Sequence, residues 1–162
     1  MAEMIKVGMA DLNVCKRPDS ITTIGLGSCV GIVLYDNVTG ICGLAHIMLP
    51  DSTKISNNSN IAKFADTALD EMLKRLVSMG VSKFNLKAKI AGGAQMFTIA
   101  NAKSDLLSVG ARNVEAVKDK LYELGIPLIA SDTGENYGRT IEFTAGQDKL
   151  LVKAVGKPEK YI

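Results

Sequence analysis

The chain has 162 residues, a formal net charge of +2 from 19 basic and 17 acidic side chains, 47% hydrophobic residues and no Trp. The length suits a single domain spanning 1–162, and the near-neutral balance gives no reason to expect nucleic acid or an anionic membrane surface as a partner. The longest uncharged stretch, residues 21–35, is shorter than the ~20 apolar residues of a spanning helix and is broken by Gly25, Gly27 and Gly31, so no membrane insertion is expected.

The chain begins MAEMIKVG, which places Glu3 and Lys6 ahead of any apolar run and does not read as a secretory signal. A cytoplasmic protein with reduced thiols is the expectation. Residues 4–14 are mixed apolar and polar and read as strand. Residues 22–26 are short and apolar, and residues 30–35 are β-branched and apolar. A turn-rich stretch at 36–40 then leads into a strand at 41–49. Residues 51–60 are almost all polar and read as an exposed loop.

A helix is predicted to begin near Asn60. Ile61, Ala65, Ala68, Leu69, Met72, Leu73, Leu76 and Val77 recur at three- and four-residue steps, and Gly80 suits the C-terminal cap. Residues 86–91 form another short strand before Gly92 and Gly93. A second helix is predicted over about 111–124, with Gly125 after it. Strands follow at 127–131, 139–144 and 149–155. Four strands, helix, strand, helix and three strands is not the alternation of a doubly wound parallel sheet. It predicts an α+β fold, largely antiparallel, with both helices on the same side of the sheets.

Chemistry concentrates at two places. Gly25-Leu26-Gly27-Ser28-Cys29 joins two apolar strands, and a glycine-lined turn lets backbone N–H groups face a developing negative charge. The phosphate-loop reading fails, because neither GxGxxG nor a following GK[ST] is present. His46 is the single histidine and shares a strand face with Leu44 and Met48. Taken alone, Cys29 reads as a small buried hydrophobe and His46 as a hydrogen-bonded core residue.

Together they read differently. A thiol of pKa ~8.5 needs its proton removed at neutral pH, and a histidine does this. The two residues lie on successive strands joined by a hairpin-like turn and are placed to meet across the sheet. A third group should hold the imidazole tautomer, and Thr23 supplies a hydroxyl. Cys15 and Cys42 have no such partner and read as bystanders. The odd cysteine count without a CxxC pair argues against a disulfide framework and a thiolate metal site, so neither metal nor cofactor is expected.

Four strings carry a resemblance. They are Thr23-Ile24-Gly25-Leu26-Gly27-Ser28-Cys29-Val30, Gly43-Leu44-Ala45-His46-Ile47-Met48-Leu49-Pro50, Ala88-Lys89-Ile90-Ala91-Gly92-Gly93-Ala94-Gln95-Met96-Phe97 and Gly110-Ala111-Arg112-Asn113-Val114. In this order they resemble the bacterial chemoreceptor glutamine deamidases, CheD. The resemblance implies a cytosolic chemotaxis enzyme that converts receptor glutamines to glutamates, with Cys29, His46 and Thr23 as the catalytic triad. It implies a β-sandwich with helices packed on one face, similar to the cytotoxic necrotising factor deamidases. It also implies two partners, methyl-accepting chemotaxis receptors as substrate and the phosphatase CheC.

Gly27 and Ser28, with Gly92, Gly93 and Arg112, are then candidates for oxyanion or substrate binding. Met96 and Phe97 are candidates for a partner contact. A tight strand end at Gly92–Gly93, a structural salt bridge at Arg112 and core packing of Met96 and Phe97 stand beside those roles. The family pattern Asp-Thr-Gly-Gly appears here as Asp132-Thr133-Gly134-Glu135. A regulator that docks on CheC with little or no catalysis, or a methylesterase of the same thiol chemistry, is the alternative reading.

Overall fold

The computed structural model describes residues 1–96 and 108–162. Its strands in chain order are β1 (Met4–Val7), β2 (Asp11–Lys16), β3 (Ser20–Leu26), β4 (Val30–Asp36) and β5 (Ile41–Ile47). Helix α1 (Ala65–Ser78), β6 (Lys87–Gly92) and helix α2 (Val109–Leu124) follow. The chain then adds β7 (Leu128–Thr133), β8 (Arg139–Thr144), β9 (Leu150–Lys153) and β10 (Lys160–Tyr161).

The strands form two five-stranded sheets, β1-β3-β8-β9-β10 and β2-β5-β4-β6-β7. The β1–β3 and β6–β7 pairs are parallel. The other pairs are antiparallel. Alternation along β4 and β5 builds two cores. Ile32, Leu34, Ala45 and Ile47 pack with Leu69, Met72 and Leu76 of α1 and with Val117 and Leu121 of α2. Val33, Tyr35, Cys42 and Leu44 pack with Ile21, Ile141 and Phe143 of the other sheet. The second sheet is therefore covered on both faces, which is why β4 and β5 are buried at every position. The result is an α+β sandwich with both helices on one outer face, as the sequence predicted.

Close approach needs glycine at particular places. A Cβ on Gly43 of β5 would sit 2.8 Å from the Met72 sulfur, so α1 lies on β5 at a distance that a side chain there would forbid. At the end of α2, Gly125 adopts φ 74° and closes the helix in the left-handed conformation.

Two boundaries differ from the sequence reading. Residues 4–14 are two strands in different sheets, separated by a turn in which Ala10 takes φ 58°. The helix predicted from Asn60 starts as a separate 3-10 turn, Ile61–Lys63, capped by the Asn60 side chain at the Ala62 N–H. Phe64 then has extended backbone before α1 begins. β10 lies beyond the last strand predicted.

Candidate active site

Thr23 and His46 come from facing sheets. β3 places Ile21 and Thr23 inward, and a bulge between Thr23 and Leu26 turns Leu26 inward as well. β5 places His46 on the inter-sheet face beside Leu44. Both polar residues are about 1% exposed, so their polar atoms must find partners in the protein.

The Thr23 hydroxyl lies 2.7 Å from the Val7 carbonyl and 2.6 Å from His46 Nδ1. A carbonyl can only accept, so the single hydroxyl proton goes to Val7. Thr23 Oγ1 then accepts from His46, and Nδ1 carries the imidazole proton. Nε2 is left as a bare lone pair. It is buried and, among the described residues, meets no hydrogen-bond partner. Burial also holds the imidazole below its usual pKa of 6.5, so the ring rests neutral at neutral pH.

Cys29 lies immediately before β4. It sits in a bend and packs in the inter-sheet core with Leu44, whose face of β5 also carries His46. No hydrogen bond joins Sγ to Nε2 in this state. Burial pushes the Cys29 thiol up, while its own backbone N–H pulls the other way. The resting pair is thus a thiol and a neutral imidazole.

The segment before Cys29 is fixed from behind. Its Gly27 carbonyl accepts from Ala94 N–H and its Cys29 carbonyl from Gly93 N–H, both at 2.8 Å. The Ser28 carbonyl accepts from Asn113 Nδ2 at 3.0 Å. Among the described residues, the Ser28 and Cys29 N–H groups donate to no other residue.

Gly92 and Gly93 serve this clamp. A side chain on Gly92 would strike the Cys29 carbonyl, and one on Gly93 would strike Val114 of α2. Both adopt positive φ, 110° and 66°. The space at these positions is filled by the protein itself.

The remaining candidates scatter. Met96 is 45% exposed and packs over Gly27, where its Cγ lies 3.3 Å from the position a Cβ would take. Phe97 lies outside the described residues. Arg112 is exposed on α2 and lines a different cleft with Pro50, Asp51, Lys54 and Asp119. Cys15 and Cys42 pair directly across β2 and β5, with sulfurs 3.6 Å apart, and touch each other instead of the site. Glu135 adopts φ 61°, a left-handed conformation that favours glycine, and its carbonyl accepts from Gln95 N–H.

Sequence reasoning passed over two buried polar residues. Asn113 is fully buried and was overshadowed by Arg112 beside it. Its signal was position: it shares a helix stripe with Gly110, Val117 and Leu121, all facing the core. Arg139 has a fully buried side chain, ion-paired to Asp132 at 3.0 Å and donating to the Gly134 carbonyl. The described residues contain no cluster of three or more metal-ligating side chains. None of the described helices is long and apolar enough to cross a membrane.

Comparison with known proteins follows the same line. The family model described as CheD chemotactic sensory transduction matches residues 48–154. The probable chemoreceptor glutamine deamidase CheD of Lachnoclostridium phytofermentans is 64% identical over the whole of both chains. That of Caldanaerobacter subterraneus is 53% identical over 99% of each. The chemoreceptor glutamine deamidase CheD of Halalkalibacterium halodurans is 53% identical over the whole of both. Among solved structures, the crystal structure of Neisseria meningitidis protein NMB0706 matches with a TM-score of 0.52 at 9% identity, covering 88% of this chain and 76% of that one. That likeness speaks for the fold alone. The relatives match over the whole chain or nearly all of it, and the chain belongs to the CheD family.

Proposed function

We propose that the chain is a chemoreceptor glutamine deamidase, a single unit over 1–162 that acts in the cytoplasm on methyl-accepting chemotaxis receptors. The observation that carries the chemistry is the Thr23–His46 hydrogen bond, which leaves Nε2 as the proton acceptor on the Cys29 face. The family membership and the relatives' names support the substrate.

His46 Nε2 takes the Cys29 proton as the sulfur attacks the carboxamide carbon of a receptor glutamine. The thiol reaches Nε2 when substrate binds; catalytic hydrogen bonds are often long in the free enzyme and tighten in the complex. The carbonyl π pair moves onto oxygen, where the Ser28 and Cys29 N–H groups meet it. Collapse expels ammonia, protonated by His46, and leaves a thioester. Water, losing its proton to the same nitrogen, cleaves the thioester to glutamate and free thiol. A burial-suppressed thiolate fits this scheme, because the proton leaves during attack and no thiolate needs to stand exposed beforehand.

Gly92 and Gly93 shape the site by letting the clamp strand approach. Met96, half exposed over Gly27, is the described part of the contact surface for receptor or for CheC. Arg112 addresses acidic side chains near the target glutamine from the neighbouring cleft. The test is intact-mass and ammonia-release measurement on purified receptor cytoplasmic fragments, with native enzyme and Cys29→Ala. A glutamine-to-glutamate shift from the native enzyme alone is expected. A shift that persists in Cys29→Ala overturns the cysteine mechanism, and no shift with folded native enzyme overturns the deamidase reading.

A further inference from the structure

A peptide group is planar and trans, so fixing its carbonyl fixes the opposite direction for the next residue's N–H. The Cys29 N–H belongs to the peptide whose carbonyl is that of Ser28. One side chain holds that carbonyl. Asn113 Nδ2 donates to it at 3.0 Å and to the Met48 carbonyl at 2.9 Å. Two acceptors face this end of the amide, so it must be the NH2 end, and both its protons are used. The Oδ1 end is buried and, among the described residues, has no partner. A fully buried asparagine that leaves its own oxygen unpaired is retained for what its nitrogen holds.

The two carbonyls are not arbitrary. Ser28 immediately precedes the nucleophile, and Met48 follows His46 by two residues. Asn113 thus bridges the bend that carries the thiol and the end of the strand that carries the base. Helix α2 is seated firmly at this point: a side chain on Gly110 would strike the Ala94 carbonyl, and Val114 fills the space over Gly93. The neighbouring peptide is fixed in the same way, since Ala94 N–H holds the Gly27 carbonyl and so directs the Ser28 N–H.

We infer that Asn113 is a positioning residue for the reaction: by holding the Ser28 carbonyl it keeps the Ser28–Cys29 peptide turned so that the Cys29 N–H faces the developing oxyanion. The inference rests on the cysteine-deamidase reading above. Asn113 touches no substrate; it acts through the peptide. Without it, that peptide is free to rotate and the donor turns away.

The test uses Asn113→Leu, of similar shape with no donor, and Asn113→Ser. Receptor deamidation, melting temperature and alkylation of Cys29 by iodoacetamide are measured together. Alkylation is a displacement at saturated carbon and develops no oxyanion. Losing one oxyanion donor costs about 10²–10³-fold, and a donor misdirected part of the time costs less. For Asn113→Leu, kcat is expected to fall about 10–100-fold, while KM and the alkylation rate each stay within about 3-fold. Native kcat in a folded Asn113→Leu overturns the inference, as does equal loss of kcat and alkylation, which marks a general collapse of the site.

If neither variant folds, the native enzyme gives the answer. The thiol adds to a receptor-derived peptide with an aldehyde in place of the glutamine carboxamide: the S–C bond forms, the C=O π pair moves to oxygen, and the thiol proton passes to His46 Nε2. The Cys29 amide proton is expected to move downfield in the adduct, and an unchanged resonance overturns the inference. Persistent deamidation by Cys29→Ala instead points to failure of the parent reading.

Discussion

Replacing Thr23 with valine preserves shape and removes one oxygen. That oxygen satisfies two buried groups, the Val7 carbonyl at 2.7 Å and the His46 Nδ1–H at 2.6 Å. Each orphaned buried group costs about 1–3 kcal/mol. The imidazole can escape its share by moving its proton to Nε2, whereas Val7 cannot. The net destabilisation is therefore about 1–3 kcal/mol, and the melting temperature falls by about 2–12 °C, given ~2–4 °C per kcal/mol for a domain of this size. The escape is what matters for catalysis. A proton on Nε2 abolishes the base that receives the Cys29 proton, and the rate falls by about 10²–10⁴-fold. Ammonia release from a receptor fragment measures the rate, and the nitrogen chemical shifts of the ring report the tautomer. Thr23→Ser keeps the oxygen and should retain most of the native kcat with the native tautomer. A Thr23→Val enzyme that melts lower yet turns over at the native rate refutes the reasoning, because the hydroxyl would then matter to packing alone.

Four further expectations rest on named contacts. Because burial lowers the His46 pKa, kcat/KM should hold steady as pH falls through 6.5 and decline only below it; an inflection at or above 6.5 contradicts the buried neutral base. The same shift has a stability side: the unfolded ring binds a proton below 6.5 before the folded one does, so stability is lost as pH falls from 6.5 towards the folded value, and His46→Gln should flatten that part of a melting-temperature profile. Asp132 is held below the usual carboxylate range, its burial outweighed by hydrogen bonds and charge from Lys160 and Arg139. Asp132→Asn strands a buried guanidinium and should cost about 3–5 kcal/mol in denaturant titration, whereas Lys160→Ala, at the exposed end of the cluster, should cost clearly less; equal costs would show that Arg139 does not depend on its partner. Gly92→Ala drives a methyl group into the Cys29 carbonyl at φ 110°, so it should lower both melting temperature and kcat, and a neutral effect on both would contradict the clamp.

The site was more legible than the connections that assemble it. Thr23, Cys29 and His46 stand out in short strings, since a glycine-lined turn, a lone histidine and a strand hydroxyl are visible without a partner in space. The register was not. Nothing local says that His46 faces Gly31 or that Thr23 reaches it from another sheet. Residues 4–14 looked continuous because Gly8 and Ala10 are weak breakers by composition, and the break is imposed by the two halves joining different sheets. Lys89 and Asn113 stand in the quoted strings with no place assigned to either. The fold turns both inward. Lys89 lies over the Tyr35 ring and donates to the Asp148 and Ile162 carbonyls, and Asn113 takes the Ser28 and Met48 carbonyls. A sequence displays a side chain's chemistry, but the distant backbone acceptor that makes its burial tolerable is a property of topology.

The Thr23–His46 bond spans the gap between the two sheets, and its strand is seated from far along the chain. β3 is held on one side by β8, a partner more than a hundred residues downstream, with the Thr22 hydroxyl bonded to the Ile141 carbonyl across 119 positions. The three site residues lie within residues 23–46, whereas the frame that seats the Thr23 hydroxyl runs from Val7, whose carbonyl takes its proton, to Thr144 at the end of β8. The site is therefore a property of the whole sandwich and not of the short segment that carries its chemistry.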